Sequence, residues 1–194
     1  MDEESLHGEL EFEEIVVATR GCFHLFGKEF KAISPIVMTT LFCLKNPLVG
    51  GSDEQITVVD CENFLYLCEA SREELNECLL NPESIIGKAT GILEKFGLTI
   101  EQFVEYHERQ MRLAFLPLDG ISLRGQENKE QITSSNGASY DLSWVVSVCS
   151  RVSKQFNESI DKTMIRPLNF VSHGLVSWMN ENGNLSRKWQ AFFC

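Results

Sequence analysis

The chain has 194 residues, with 28 aspartates and glutamates against 17 lysines and arginines, and its formal net charge is −11. Its 43% hydrophobic and 23% charged residues indicate a soluble globular protein and exclude collagen-like, coiled-coil rod and low-complexity classes. No apolar run approaches the roughly 18 to 20 residues that span a bilayer, and no secretion signal is visible, so we expect a cytoplasmic protein without membrane contact.

The first predicted element is an acidic N-terminal arm, residues 1–14, which holds seven carboxylates and no lysine or arginine. We expect this arm to be solvated. Residues 140–194 have the opposite balance, with six basic residues against four acidic ones, and this asymmetry permits self-association. Because a negative surface repels phosphate, direct nucleic-acid binding is not expected.

Two structures fit residues 11–33. One is a helix from Glu11 to Phe26, and the other is a hairpin between Phe23 and Ile33 that turns at Gly27-Lys28. Either structure must bury the aromatic residues of this segment, so the segment belongs to the fold. The pattern leaves both alternatives open.

Capping and stop signals delimit the next helices. Ser34-Pro35 starts a central helix that runs to about Lys45, with the serine hydroxyl expected to accept from a first-turn amide. Asn46-Pro47 ends it. Further helices are predicted over 60–70, after the capping box Ser71/Glu74, and over 82–96, where Gly97 closes one apolar stripe.

A capping box formed by Thr99 and Gln102 opens the most clearly amphipathic helix, which extends to about Phe115. Its predicted core face comprises Ile100, Phe103, Val104, His107, Met111, Ala114 and Phe115. We interpret His107 as a hydrogen-bonded core histidine rather than a metal ligand. Residues 116–139 lack periodicity and are rich in turn formers, which predicts a polar linker.

The remaining segment, residues 140–194, shows three helical patterns: 142–156, 159–165 and 167–182. The fold class we predict is therefore all-α, or nearly all-α with a small N-terminal hairpin. It comprises an irregular multi-helix domain over 15–115, the linker, and a small helical C-terminal unit.

The sequence contains parts of several catalytic and metal-binding motifs, but each motif is incomplete. Residues 107–111 lack the second histidine of a zinc protease, and Cys22 and His24 lack a second close pair of ligands. Gly87-Lys88 lacks the leading glycine of a phosphate-binding loop. We predict no catalytic residue, no cofactor and no metal site, and we interpret most of the seven cysteines as small buried hydrophobes. A cysteine paired with His24, His107 or His173 is the enzymatic alternative.

Large aromatic residues are concentrated at the C-terminal end of the chain. Such a cluster either packs on its own domain or binds a partner or a second copy. The candidate partner-binding residues are Trp178, Trp189, Phe192 and Phe193.

Two stretches of the chain resemble a known family in their layout. The first is Phe26-Gly27-Lys28-Glu29-Phe30, followed by Ile33-Ser34-Pro35 and a helix ending Leu44-Lys45-Asn46-Pro47-Leu48. The second is Ile165-Arg166-Pro167-Leu168-Asn169-Phe170, which leads into a helix ending at Gly183. This order is similar to that of small tailed-phage morphogenesis proteins, particularly tail assembly chaperones.

The resemblance implies a non-enzymatic protein made in the cytoplasm of a bacterial host. It would bind other virion assembly proteins, such as the tape-measure and major tail proteins, through helical grooves. Two alternatives remain: an acidic inhibitor or nucleic-acid mimic that uses the carboxylates of residues 2–14, and a helical interaction domain of another pathway.

Overall fold

The computed structural model describes residues 13–50, 55–85, 87–119 and 143–182, which are mainly helical. The hairpin comprises β1 (Cys22–Leu25) and β2 (Lys28–Lys31). The helical elements are α1 (13–20), α2 (Pro35–Cys43), α3 (Pro47–Gly50), α4 (Val58–Glu69), α5 (Arg72–Leu80), a 3-10 turn (Pro82–Ile85), α6 (Ile92–Phe96), α7 (Ile100–Asp119), α8 (Ser143–Gln155), α9 (Ile160–Met164) and α10 (Leu168–Asn182). The predicted fold class, nearly all-α with a small N-terminal hairpin, is confirmed.

The N-terminal segment contains part of each predicted alternative, because a helix precedes the hairpin. The strands are antiparallel, and Leu25 pairs with Lys28 across a two-residue turn. The turn residues Phe26 and Gly27 have φ angles of 53° and 71°, the left-handed pair that a tight hairpin turn requires. The turn predicted at Gly27-Lys28 is therefore displaced by one residue.

Two predicted capping boxes are confirmed at the helix starts. The backbone N–H of Glu74 donates to the Ser71 hydroxyl at 3.2 Å, and the Ser71 N–H donates to the Glu74 carboxylate at 2.7 Å. Thr99 and Gln102 make the same reciprocal pair at 3.2 and 3.1 Å. Ser34 does precede the buried helix α2, but its hydroxyl makes no capping hydrogen bond, so that detail of the prediction is wrong.

Two helix boundaries differ from the prediction. The single helix expected over 82–96 is interrupted, because Gly87 and Gly91 have φ angles of 89° and 78°, which lie outside the right-handed helical region. Gly97 does end α6 in the left-handed conformation, as predicted. Helix α7 passes through Pro117 and ends at Asp119, beyond the expected end near Phe115.

The buried apolar residues form one contiguous cluster to which the hairpin and all the longer helices contribute. Tyr106 of α7 is completely buried at its centre. Its ring centroid lies 4.9 Å from that of Phe30, 5.8 Å from that of Phe103 and 6.2 Å from that of Phe64. Such aromatic contacts add to the stabilisation from burial itself.

Helix α10 packs against both α7 and α8. At its start, the Leu168 N–H donates to the Ile33 carbonyl at 2.7 Å. One turn later, the Ser172 hydroxyl donates to the Ala114 carbonyl at 2.8 Å. The described helices of residues 143–182 thus share a core with residues 13–119.

The predicted acidic arm lies outside the described residues except for its last two members. Glu13 and Glu14 belong to α1, and Glu14 is buried rather than solvated. Most of the predicted linker, from residue 120 onwards, also lies outside the described residues. Within the described ranges, no helix combines the length and apolar character needed to cross a bilayer.

Candidate functional site: an apolar groove beside helix α7

An open cavity of about 420 Å³ lies between α3, the start of α4 and the first half of α7. Asn46 shapes the α3 side, because its side chain accepts from the Leu48 N–H at 3.0 Å and donates to the Asp60 carbonyl at 2.9 Å. We call this cavity the apolar groove. Its lining residues are Pro47, Leu48, Ile56, Thr57, Val58, Cys61, Ile100, Phe103, Val104, His107 and Glu108.

A capping box positions the α4 wall of the groove. The Asp60 N–H donates to the Thr57 hydroxyl at 3.3 Å, and the Thr57 N–H donates to the Asp60 carboxylate at 2.8 Å. This reciprocal pair fixes the first turn of α4. Val58 therefore begins the helix on the groove side, two residues after the apolar residue Ile56.

The groove holds four aliphatic side chains that remain in contact with solvent. The exposed fractions are 52% for Ile56, 55% for Val58, 43% for Ile100 and 49% for Val104. Ile100 and Val104 do lie beside Phe103 on the predicted apolar side of α7, but they are not covered by the core, which corrects that part of the prediction. A contiguous apolar surface of this kind marks a binding site more often than scattered exposed residues do.

His107 lies at the inner wall of the groove, half-buried between the rings of Phe64 and Phe103. Its Nε2 is 3.1 Å from the Leu48 carbonyl oxygen. Because a carbonyl oxygen only accepts, Nε2 carries the proton and Nδ1 is unprotonated in the neutral ring. Burial lowers the pKa of His107, so the neutral ring is favoured. The predicted hydrogen bond of His107 is present, but the ring is half-buried at the wall of the groove rather than enclosed in the core.

Cys61 lines the same groove as His107, which makes it the cysteine to consider for the enzymatic alternative. Burial, and then the negative charge of Asp60, raise the pKa of the Cys61 thiol. The protonated thiol is a poor nucleophile. Within the described structure, no hydrogen bond joins Cys61 to His107, whose Nε2 contacts Leu48. The Cys61 thiol is therefore not activated by a hydrogen-bonded base among the described residues.

The prediction that most of the cysteines are small buried hydrophobes is confirmed in part. Cys61, Cys68, Cys78 and Cys149 are buried and act as small hydrophobes, whereas Cys22 is half-buried and Cys43 is exposed. Cys194 lies outside the described residues. Among the described side chains, no group of three or more histidines, cysteines, aspartates or glutamates is placed to hold a metal ion.

Of the four predicted partner-binding aromatics, only Trp178 lies within the described residues. It is half-buried on α10, and the guanidinium carbon of Arg151 lies 4.4 Å from its ring centroid. This is a cation–π contact between α8 and α10. Trp189, Phe192 and Phe193 lie outside the described residues.

The last two carboxylates of the acidic arm make internal contacts. The Glu13 carboxylate accepts from the Arg109 guanidinium, and that of Glu14 pairs with His173. The Glu13 carboxylate is therefore occupied within the fold and that of Glu14 is largely buried, so these two groups give no support to a nucleic-acid mimic.

Sequence reasoning missed the α4 wall of the groove. The predicted helix began at residue 60, so Ile56 and Val58 received no role, although Thr57 and Asp60 have capping-box spacing. A second usable signal was the length of the apolar stripe on α7. That stripe begins at Ile100, the first residue of α7, where no neighbouring segment of the described structure covers it.

Comparisons with known proteins give no family for this chain. No protein-family model matches it, and neither does any curated protein or solved structure.

Proposed function

We propose that this protein is a non-enzymatic adaptor that binds an apolar helical segment of another protein in the apolar groove. The observation that carries the proposal is the convergence of four solvent-exposed aliphatic side chains on one cavity. An amphipathic helix docks in such a groove by inserting apolar residues spaced one turn apart. A cavity of about 420 Å³ has the size of a site for a few such side chains.

Charge favours a partner segment that carries lysine or arginine next to its apolar face. Glu108 lines the groove, and Glu101 and Glu105 are exposed on the same half of α7. The described residues that line the groove include no basic residue, and the chain as a whole has a net charge of −11. Complementary charge at the rim raises association rates and rejects acidic competitors.

The proposal is narrowed to tailed-phage virion assembly by the layout resemblance described above. In that setting the protein is a tail assembly chaperone or adaptor in the cytoplasm of a bacterial host. Its partners are the tape-measure or major tail proteins. The half-buried, hydrogen-bonded state of His107 and the raised pKa of Cys61 are compatible with a role in binding.

A defined peptide tests the groove directly. The probe is an amphipathic helix of about four turns with leucine and phenylalanine on one face and lysine on the other. A peptide with glutamate in place of lysine is the charge control. Calorimetry on the full chain should show that the lysine peptide binds and that the glutamate peptide binds at least about ten-fold more weakly.

Two matched variants assign that binding to a surface. The double variant V58S/V104S should weaken binding of the lysine peptide by about ten-fold or more, because it removes apolar contacts from the groove. V146S removes an equally exposed valine, 53% exposed on α8, and should leave binding unchanged. Binding that survives V58S/V104S, or that V146S weakens as much, contradicts the groove as the site.

The virion-assembly setting requires a separate test. The chain is co-expressed with the tape-measure and major tail proteins of a tailed phage, taken from the neighbourhood of its gene if they are encoded there. At least one should co-purify with the wild type and V146S but not with V58S/V104S. If the lysine peptide binds in the groove but neither tail protein co-purifies, the adaptor proposal stands and the phage assignment is wrong.

A further inference from the structure

A second cavity, of about 200 Å³, lies on another side of the molecule, where the hairpin and α2 meet the start of α5. It is independent of the apolar groove. Among the described residues, the charged ones that line it are Lys31 and Arg72, and both are basic. Ser34 and Val37, from the start of α2, also line it. No carboxylate does.

The start of α2 offers hydrogen-bond donors without acceptors. The backbone of Ser34 has the extended conformation of an N-cap, with φ −119° and ψ 162°, but its side chain accepts from no helix amide. Pro35 has no N–H. The N–H groups of Ile36 and Val37 belong to the first helical turn, whose amides have no partner within the helix. A helix start of this kind favours an anion.

Ser34 gives independent support for a ligand. The residue is only 6% exposed and lines the cavity. Within the described structure, its hydroxyl makes no hydrogen bond to any other residue. Because the residue borders the cavity and its hydroxyl has no protein partner among the described residues, a polar occupant of the cavity could hydrogen-bond to this hydroxyl.

The two cations are available to such an occupant. The Lys31 ammonium donates to the carbonyls of Glu69 and Ala70 at 2.7 and 3.2 Å, and these bonds hold it at the cavity while leaving a third N–H. The Arg72 side chain makes no ion pair or hydrogen bond with the described residues. The nearby Glu69 carboxylate accepts from the Lys31 backbone N–H at 2.9 Å and does not line the cavity.

We propose that this second cavity is a binding site for a small phosphate-sized anion, either inorganic phosphate or a small phosphate monoester. The ammonium, guanidinium, hydroxyl and first-turn amides together supply several donors, two of them charged. Charge-assisted hydrogen bonds of this type are the strongest that proteins make to phosphate oxygens. The volume of the cavity suits a small anion rather than a folded partner.

Amide NMR of the full chain tests this site. Inorganic phosphate is titrated at constant ionic strength against chloride, and glycerol phosphate is titrated in a parallel arm. Saturable shifts at the Ile36 and Val37 amides are expected with at least one of the two. Saturation by inorganic phosphate identifies the free ion as sufficient, whereas saturation by glycerol phosphate alone identifies the monoester.

Variants then assign the binding to the cavity. R72Q, at an exposed position, should weaken the apparent affinity by about three- to ten-fold, and S34A should have an effect in the same range. R112Q removes an exposed arginine that does not line the cavity and should leave the affinity unchanged. Absence of saturable shifts with both anions, shifts reproduced by chloride, or equal affinity in R72Q and wild type would overturn the proposal.

Discussion

The imidazole Nε2 of His173 on α10 lies 2.6 Å from the carboxylate Oε1 of Glu14 on α1. The contact is an ion pair when the imidazole is protonated, but its geometry does not meet the requirements of a hydrogen bond. The same part of α1 is tied to α10 a second time, because the Asn169 side chain donates to the Glu14 carbonyl at 2.9 Å. The first described helix is thus attached to the last one through polar groups.

A double-mutant cycle on Glu14 and His173 measures the strength of this attachment. The Glu14 side chain is 11% exposed and that of His173 is 48% exposed, so solvent screens the pair only in part. We expect E14Q and H173Q to show a coupling free energy of about 0.5–1.5 kcal/mol in urea unfolding. Strict additivity of the two substitutions would contradict a direct interaction.

The side-chain amide of Gln110 on α7 hydrogen-bonds the backbone at the end of the hairpin, as a neighbouring strand would. Its side-chain Oε1 accepts from the Ile33 N–H at 2.9 Å, and its Nε2 donates to the Lys31 carbonyl at 2.7 Å and to the Tyr106 hydroxyl at 2.9 Å. Gln110 is 1% exposed. Removal of the amide would take away the side-chain partner of the Ile33 N–H and of the Lys31 carbonyl, whereas the Tyr106 hydroxyl would keep its contact with the Cys68 thiol.

We expect Q110L to lower the free energy of unfolding by about 2–4 kcal/mol, because it leaves a buried N–H and a carbonyl unsatisfied. Y106F should cost about 1 kcal/mol, since Gln110 keeps both backbone contacts in that variant. E105L, at an exposed position of the same helix, is the control. Equal losses in Q110L and Y106F would argue against the backbone contacts as the main contribution.

Gly174 allows α8 and α10 to approach closely. A Cβ atom at this position would lie 2.8 Å from Cγ1 of Val152 and 3.1 Å from Cε2 of Phe156. Val152 is fully buried and has no space into which it can move freely. The close approach therefore depends on the missing side chain.

We expect G174A to destabilise the protein by about 1–2 kcal/mol, because overpacking outweighs the gain in helix propensity. The measurement is the urea unfolding midpoint with its slope. The combined variant G174A/V152A, which makes room at the contact, should be less destabilised than the sum of the single variants. A G174A protein as stable as the wild type would mean that the two helices separate at little cost.

Local sequence signals predicted much of the fold, because they act within one or two turns of the chain. The boxes Ser71/Glu74 and Thr99/Gln102 and the left-handed Gly97 are of this kind. The break between the 3-10 turn and α6 depends on Gly87 and Gly91, whose left-handed conformation nothing in the apolar periodicity indicates. The prediction of a single helix over 82–96 followed the apolar periodicity, and it was wrong at these two glycines.

The apolar groove depends on tertiary structure more than the helix caps and turns do. The spacing of Ile100 and Val104 shows that they share a face of α7 with Phe103, but only the packed structure shows that nothing covers them. The second cavity depends likewise on segments far apart in sequence, since Lys31 and Arg72 come to line one cavity only after the hairpin packs on α4. A single sequence carries no direct record of either arrangement.

The lowered pKa of His107 predicts a pH dependence of stability. Burial lowers this pKa below the ordinary value of 6.5, so the unfolded chain binds more protons than the folded chain just below pH 6.5. Stability must therefore fall as the pH decreases through 6.5 and stop falling, for this group, below the folded pKa. H107Q should show a flatter profile than wild type in this window. Identical slopes would contradict the assignment.

The exposure of the cysteines predicts an order of alkylation in the native protein. Cys43 is exposed and should react first with iodoacetamide, whereas burial raises the pKa of Cys149 to about 12. Since the thiolate is the reacting species, Cys149 should remain unmodified at mildly alkaline pH until the protein unfolds. Peptide mass mapping after a short reaction, with a urea-unfolded sample as the control, measures the order. Labelling of Cys149 at the rate of Cys43 in the native sample would show that α8 separates readily from the core.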